Sequence, residues 1–411
     1  MTESRVHFDP WAPEVIRDPY PVLQELMRDE PVHWNDRLGG WCVTRYEDVR
    51  QGFRDPRLSA DRIRPFAAQA SGPDAEAIGW LGEVLARWAV FNDPPIHSRL
   101  RAPMATAFTS RAIEALRPNI AGIVEELIDE MAGQGTVDFH HAFAYPLPAT
   151  VIADLLGVPR ADVDHLKRWS DALAQFVLTS RTNPEKYRIA AAGLTEMVDY
   201  FDRFLDERRR RPGELVTDAI VAAAEGDHAL AVEDVTATCI LLLFAGHETT
   251  TQLIANGLLA LIENPDQMAD LRANLDEPAV VRGAVEEMLR FDGPSLTSPR
   301  VAAESFEWHG AAVREGQRVF LFNSAANRDP RVFADPDLFD IRRAEAGRHL
   351  TFGYGIHFCV GAPLARLEAE VAFPILLRRF RDFELVEPLQ DWSDSVVTRG
   401  MLRLPLRLVP A

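Results

Sequence analysis

Cys359 lies in the segment Phe352-Gly353-Tyr354-Gly355-Ile356-His357-Phe358-Cys359-Val360-Gly361. Two glycines ahead of the cysteine permit a tight turn, and a third behind it lets the backbone press close against something flat. Ala362-Pro363-Leu364 follows, with apolar residues at Leu364, Leu367, Val371 and Ile375 in helical spacing. Proline suits the first turn of a helix, where its missing N–H is not needed. A cysteine just before a helix start faces unpaired N–H groups and the positive end of the macrodipole, which stabilise a thiolate. A thiolate held there by glycines is a metal ligand or a nucleophile.

A second segment, Ala245-Gly246-His247-Glu248-Thr249-Thr250, sits inside a helical pattern running from about Val232 to Glu263, where Asn264-Pro265 ends it. About thirty residues at 1.5 Å each give a rod of roughly 45 Å. A glycine in mid-helix costs about 1 kcal/mol against alanine, so Gly246 asks for a reason. Glu248 and Thr249 pair an acid with an alcohol. A hydroxyl can bond back to the carbonyl four residues earlier and loosen the helix, opening a groove where water can sit. In Asp93-Pro94-Pro95-Ile96-His97-Ser98-Arg99-Leu100-Arg101, His97 and Arg101 are four apart and share a helical face suited to an anion. Glu287 and Arg290, three apart, can pair on one face.

The first segment resembles the haem-binding loop of the cytochrome P-450 family, with pattern Phe-x-x-Gly-x-x-x-Cys-x-Gly, and meets each fixed position. The resemblance implies haem b (iron protoporphyrin IX), with Cys359 as thiolate ligand of the iron, favouring O–O cleavage. Phe352 would pack near the sulfur, Gly361 would complete the loop, and His357 would reach a propionate. Ala245 and Gly246 would let the flat cofactor and its O2 approach the backbone. Thr249 would steady the oxygen ligand and a water, while Glu248 feeds protons. His97, Arg101 and Arg300 match propionate contacts; after Arg300 the usual Glu-Asp is altered to Ala303-Glu304-Ser305. Glu287 and Arg290 would form a structural triad with either Arg342 or Arg343. The likeness extends from Asp18-Pro19-Tyr20 to the C-terminal strands and includes Ala326-Asn327-Arg328-Asp329-Pro330.

These residues need a scaffold, and the chain reads as mainly α with a minor β portion. Strand-like pieces lie at Trp41-Cys42-Val43-Thr44, at Gln317 to Phe322 and at Leu402 to Val409. With no long linker and no repeat, residues 1–411 read as a single cytochrome P450 domain, with haem between the long central helix and the cysteine loop. Pro374 is expected to kink the helix after the cysteine. The arginine run ahead of Pro212 reads as a charged helix end. The 47% apolar and 26% charged fractions are ordinary globular chemistry. A net charge of −18 argues against nucleic acid and anionic membrane surfaces as partners. Three scattered cysteines suit a reducing cytoplasm. The N-terminus is polar, without a signal-peptide core, and the apolar stretch from Cys239 to Gly246 is far short of a membrane span.

The resemblance implies a monomeric haem-thiolate monooxygenase that inserts one atom of O2 into a hydrophobic or amphipathic small molecule. Terpenoid, aromatic, steroid and polyketide-like substrates all fit. The pocket would draw on Trp88, Phe91, Leu241, Phe244, Leu296 and Val397. No flavin or iron–sulfur segment is present, so electrons from NAD(P)H would arrive through a separate ferredoxin and ferredoxin reductase. Arg99, Arg348 and Arg366 are candidate docking cations. A peroxide-driven peroxygenase and a non-catalytic haem protein are the alternatives; the intact Glu248-Thr249 pair argues against both.

Overall fold

A computed structural model of the chain describes residues 6–178, 183–213, 215–225, 230–389 and 391–411. Residues 1–5, the start of the polar N-terminus, lie outside the described residues. The chain divides into two compact units, each built from segments distant in sequence. One comprises Met1–Leu58, Ile120–Pro146 and Thr249–Ala411; the other comprises Ser59–Asn119 and Leu147–Glu248.

The first unit carries the sheets. Strand Gly40–Val43 runs antiparallel to Val32–Asn35 and parallel to Arg318–Leu321, with Trp41 opposite Val319. Ser298–Ala302 pairs antiparallel with Arg318–Leu321, so Arg300 also faces Val319. Val43, Val319 and Leu321 turn into a core with Tyr46, Val49, Phe53, Phe333 and Leu350. A second sheet places Pro405–Pro410 between Thr136–Asp138 and Phe380–Leu385. The three strand-like pieces of the sequence are therefore strands, the last beginning at Pro405.

Helices dominate the second unit. Lys186–Arg210 packs on Val163–Val177 at Gly193, where a Cβ would lie 2.8 Å from Ala172 Cβ and 3.2 Å from the Trp169 carbonyl. Trp169 donates to Glu196 at 2.6 Å across the same seam. The arginine run closes that helix: Arg208 pairs with Asp218 at 2.5 Å and Arg209 with Asp206 at 3.1 Å. The long helix spans Val232–Glu263, as its pattern predicts. Its interior glycine has a packing reason, because a Cβ on Gly246 would sit 2.8 Å from Ile152 Cγ1 on helix Pro146–Leu156. The helix after the cysteine, Ala362–Arg379, is assigned without interruption through Pro374. Among the described residues, no helix is long and apolar enough to cross a membrane.

In the first unit, helix Pro278–Asp292 carries a buried ionic cluster. Glu287 is 0% exposed and Arg290 1%. Arg290 forks onto Glu287 through two bonds of 2.7 Å and donates to the carbonyls of Asn327 and Pro336 at 3.0 and 2.9 Å. Arg343 is the third member, 3.2 Å from Glu287; Arg342 turns outward to Asp270 at 2.6 Å. The backbone N–H of Asp340 donates to Glu287 at 2.9 Å. Removing one partner of a buried pair strands the other, whereas an exposed pair contributes little. Arg290→Met is therefore expected to cost about 3–5 kcal/mol in chemical denaturation, and Arg342→Ala to leave the midpoint nearly unchanged. Equal losses for the two variants would contradict the assignment of Arg343 to the cluster.

Candidate active site

The two units carry different parts of the candidate set. In the sheet-bearing unit, the cysteine loop is tied by its own backbone: Cys359 N–H donates to the Phe352 carbonyl at 2.9 Å, and Phe358 N–H to Gly355 at 3.2 Å. Gly353 and Gly355 have φ of +73° and +71°, a conformation that side chains resist. The turn before the cysteine therefore needs both glycines, while Gly361, at φ −81°, has ordinary backbone geometry. A Cβ at Gly361 would lie 3.8 Å from Cys359 Sγ. Helix Ala362–Arg379 starts three residues beyond the cysteine, with Pro363 in its first turn. Cys359 is exposed, whereas Cys42 and Cys239 are buried. Burial pushes both of those thiols up, Cys239 to about 12, so neither supplies a thiolate near neutral pH.

Phe352 is held beside the loop by Arg366, whose guanidinium carbon lies 4.5 Å from its ring centre, and by the His349 ring at 5.6 Å. Both side chains meet at Glu286, with His349 at 3.2 Å and Arg366 closer. Burial alone would raise the Glu286 carboxyl, but bonds from His349 and Arg366 hold it down at about 2. For His349 burial wins over Glu286, so the ring sits below its ordinary value. Sequence reasoning missed Glu286 and His349. Their 63-residue separation leaves no local spacing signal.

Other predicted residues of this unit fall into two groups. Arg300 is buried, donates to the Pro299 carbonyl at 2.9 Å and lies 5.4 Å over Phe53. Phe53 in turn lies 3.5 Å from the Cβ position of Gly353, which links Arg300 to the cysteine loop. Leu296 and Val397 are brought together, since Leu296 and Thr297 N–H groups both donate to the Val397 carbonyl, at 2.9 and 3.2 Å. Both side chains are half-buried, as is His357.

In the helical unit, His97 and Arg101 share helix Ile96–Ala107. Burial and the nearby Arg101 charge lower His97 against the pull of Asp93. At neutral pH His97 is therefore a neutral donor, and Arg101 the cation of the pair. Trp88 and Phe91 stack at 5.7 Å and 7°, and Trp88 meets Phe244 at 5.7 Å. All three are buried at 1%, 2% and 4% exposure, so their rings build the wall's packing more than its accessible surface. Leu241 is half-buried.

The long helix shows where its accessible surface lies. From residue 234 to residue 261 the only positions not buried are Leu241, Ala245, Gly246, Glu248, Thr249 and Gln252. Steps of three and four place all of them except Gly246 on one face. Ala245 is the exposed position, and Glu248 and Thr249 are half-buried. The small step thus divides its work: Gly246 admits Ile152, and Ala245 stands exposed. A macrocycle bearing a metal needs an accessible thiol on a rigid turn; Cys359 supplies it within its own unit, so the cysteine loop fits the ligand side of a haem.

The family model "Cytochrome P450" matches residues 80–405. The chain is 40% identical over 399 residues to "Cytochrome P450 monooxygenase PikC" of Streptomyces venezuelae, covering 95% of this chain and 91% of that protein. It is 34% identical over 419 residues to "Polyketide biosynthesis cytochrome P450 PksS" of Bacillus subtilis, covering 98% and 99%. The structure of "Epothilone B-bound Cytochrome P450epoK" superposes with a TM-score of 0.89 at 32% identity, covering 98% of this chain and 100% of that one. The alignment with relatives over nearly their whole length, the fold and the accessible thiol on its glycine turn agree: this chain belongs to the cytochrome P450 family of haem-dependent monooxygenases.

Proposed function

We propose that haem is bound through Cys359 and that the enzyme oxygenates a hydrophobic or amphipathic polyketide-type molecule. The observation that carries this reading is the exposure of Cys359 on a turn that only glycines can make, at the start of a helix. When bound, haem supplies reductive activation of O2: two electrons and two protons place one oxygen atom in the substrate and release the other as water.

The chain's own residues do the rest. Cys359 binds, and the Phe352 carbonyl fixes its backbone N–H. Phe352, pinned by Arg366, covers the loop. Arg101 and Arg300 provide cationic donors for carboxylates, with His97 as a neutral one. Thr249 and Glu248 lie together on the accessible face of the long helix, where the hydroxyl orders water and the carboxyl passes protons. The apolar residues proposed to meet the substrate are Leu296 and Val397 in one unit and, in the other, Leu241 with the packed rings of Trp88, Phe91 and Phe244. The printed names of two relatives, one assigned to polyketide biosynthesis and one bound to epothilone B, support a substrate of that class.

Electrons come from a separate acidic ferredoxin and its NAD(P)H-dependent reductase, which requires a local basic surface on this acidic chain. Of the candidate cations, Arg366 is engaged by Glu286 and Phe352, and Arg99 lies 3.9 Å from Asp234. Arg348 is exposed beside the Tyr46 ring and is the better candidate. This reading places the enzyme in a reducing cytoplasm, in keeping with three cysteines that form no disulfide with one another.

Cys359→Ser is expected to abolish the red-shifted absorption of the reduced carbon monoxide complex; survival of that band would remove Cys359 as the ligand. Titration of the ferric protein with macrolides, steroids, terpenes and fatty acids is expected to shift the iron from low to high spin with the macrolides. A shift confined to the fatty acids would refute the substrate class. Thr249→Ala is expected to keep the spin shift yet divert most electrons to hydrogen peroxide, read as product formed per NADPH consumed. Unchanged coupling would take Thr249 out of proton delivery.

A further inference from the structure

His247 stands between Gly246 and Glu248 but faces the opposite way. Its side chain is 3% exposed, against 18% for Glu248. Nδ1 lies 2.8 Å from the Leu243 carbonyl, one turn back in the same helix. A carbonyl only accepts, so Nδ1 carries a hydrogen and the tautomer is fixed. The remaining nitrogen, Nε2, lies 3.3 Å from Glu248 Oε1. A bare Nε2 and a bare carboxylate would set two lone pairs against each other. A proton on Nε2 removes that repulsion and turns the approach into an ion pair.

We propose that His247 is a positioning residue for Glu248, anchored by Leu243 and holding its carboxyl group from the buried side of the helix through Nε2. This inference rests on the role in proton delivery given to Glu248 above. The surroundings agree. Burial works against a charged ring, yet the bond and charge of Glu248, the Leu243 carbonyl and the charge of Asp171 together raise His247 above its ordinary value. Asp171 lies exposed on helix Val163–Val177, and it and Glu248 are the charged groups acting on the ring. Glu248 thus stands between the buried ring of His247 and the accessible stripe that holds Thr249. Nε2–H stays on the ring throughout: it fixes the orientation of the carboxyl group beside Thr249, while each proton that Glu248 passes on is taken up from water on the accessible side.

Two side chains separate this role from simple packing. The amide of asparagine can replace Nδ1–H and keep the bond to Leu243 but cannot reach Glu248. The amide of glutamine can replace Nε2–H and keep Glu248 but not Leu243. In the haem-loaded enzyme, His247→Gln is expected to hold product formed per NADPH near the parent value, and His247→Asn to lower it severalfold, matching Glu248→Gln. The reverse order would make the ring a helix-packing group and overturn the proposal. Independently of turnover, nitrogen NMR of labelled histidine in the reduced carbon monoxide complex reads the pairing. His247 is expected to titrate above about 6.5 in the parent and below it in Glu248→Gln. A titration unmoved by Glu248→Gln overturns the pairing. A shifted titration with full coupling in Glu248→Gln instead overturns the role of Glu248 in proton delivery.

Discussion

A carboxylate with no exposed surface is costly to fold unless charges and donors meet it on every side. Glu287 is met by Arg290, by Arg343 and by the backbone N–H of Asp340. The next residue back, Glu286, is met by His349 and Arg366. Two adjacent carboxylates on helix Pro278–Asp292 therefore fasten that helix to three separate stretches of chain. Glu287 collects the irregular segment 335–343 through Arg290 and Arg343, whose guanidinium groups also satisfy the carbonyls of Pro336, Leu338 and Asp335. Glu286 collects the approach to the cysteine loop and the helix that leaves it. Irregular backbone stays ordered in an interior only if its carbonyls find donors, and here arginines supply them.

This arrangement explains why charge is used where apolar packing would hold the same volume at least as well. An apolar contact has no direction, whereas a guanidinium fork has one. Phe352 illustrates the gain. Its ring is held from one side by Arg366 and from another by His349, both aimed by the same carboxylate. Because the Phe352 carbonyl binds the Cys359 N–H, fixing the ring also fixes the backbone of the cysteine. Asn327 adds a second clamp: it donates to Thr351 at 2.8 Å and accepts from Leu350 N–H at 2.7 Å, just ahead of the loop. Rigidity at the thiol is thus imported from residues that never touch it.

Legibility in the sequence followed the range of the interaction. The long helix, the strands near residues 41, 318 and 405, and the glycine turn were readable because each depends on neighbours within a few positions. Glu287 with Arg290 was readable as an i,i+3 pair, but the choice of Arg343 over Arg342 was not. Adjacent arginines have identical local surroundings, and only the fold decides that one turns inward while the other finds Asp270. Glu286 and His349 were invisible for the same reason. The aromatic residues Trp88, Phe91 and Phe244 were identifiable as a group, yet their depth of burial depends on packing that no period reports.

The segment from Ala245 to Thr249 shows how one helix can serve packing and chemistry with alternate residues. A helix turns 100° per residue, so consecutive side chains face different neighbours. Gly246 looks to Ile152, His247 to the buried interior, and Ala245, Glu248 and Thr249 to the accessible stripe. The acid and the alcohol are consecutive because only a half-buried position can exchange protons with water while its neighbour remains anchored. A histidine one residue earlier is then directed away from that water, and its ring can reach back along the helix to Leu243 and forward to Glu248. The spacing of chemistry on this helix follows from the geometry that lets it be buried at all.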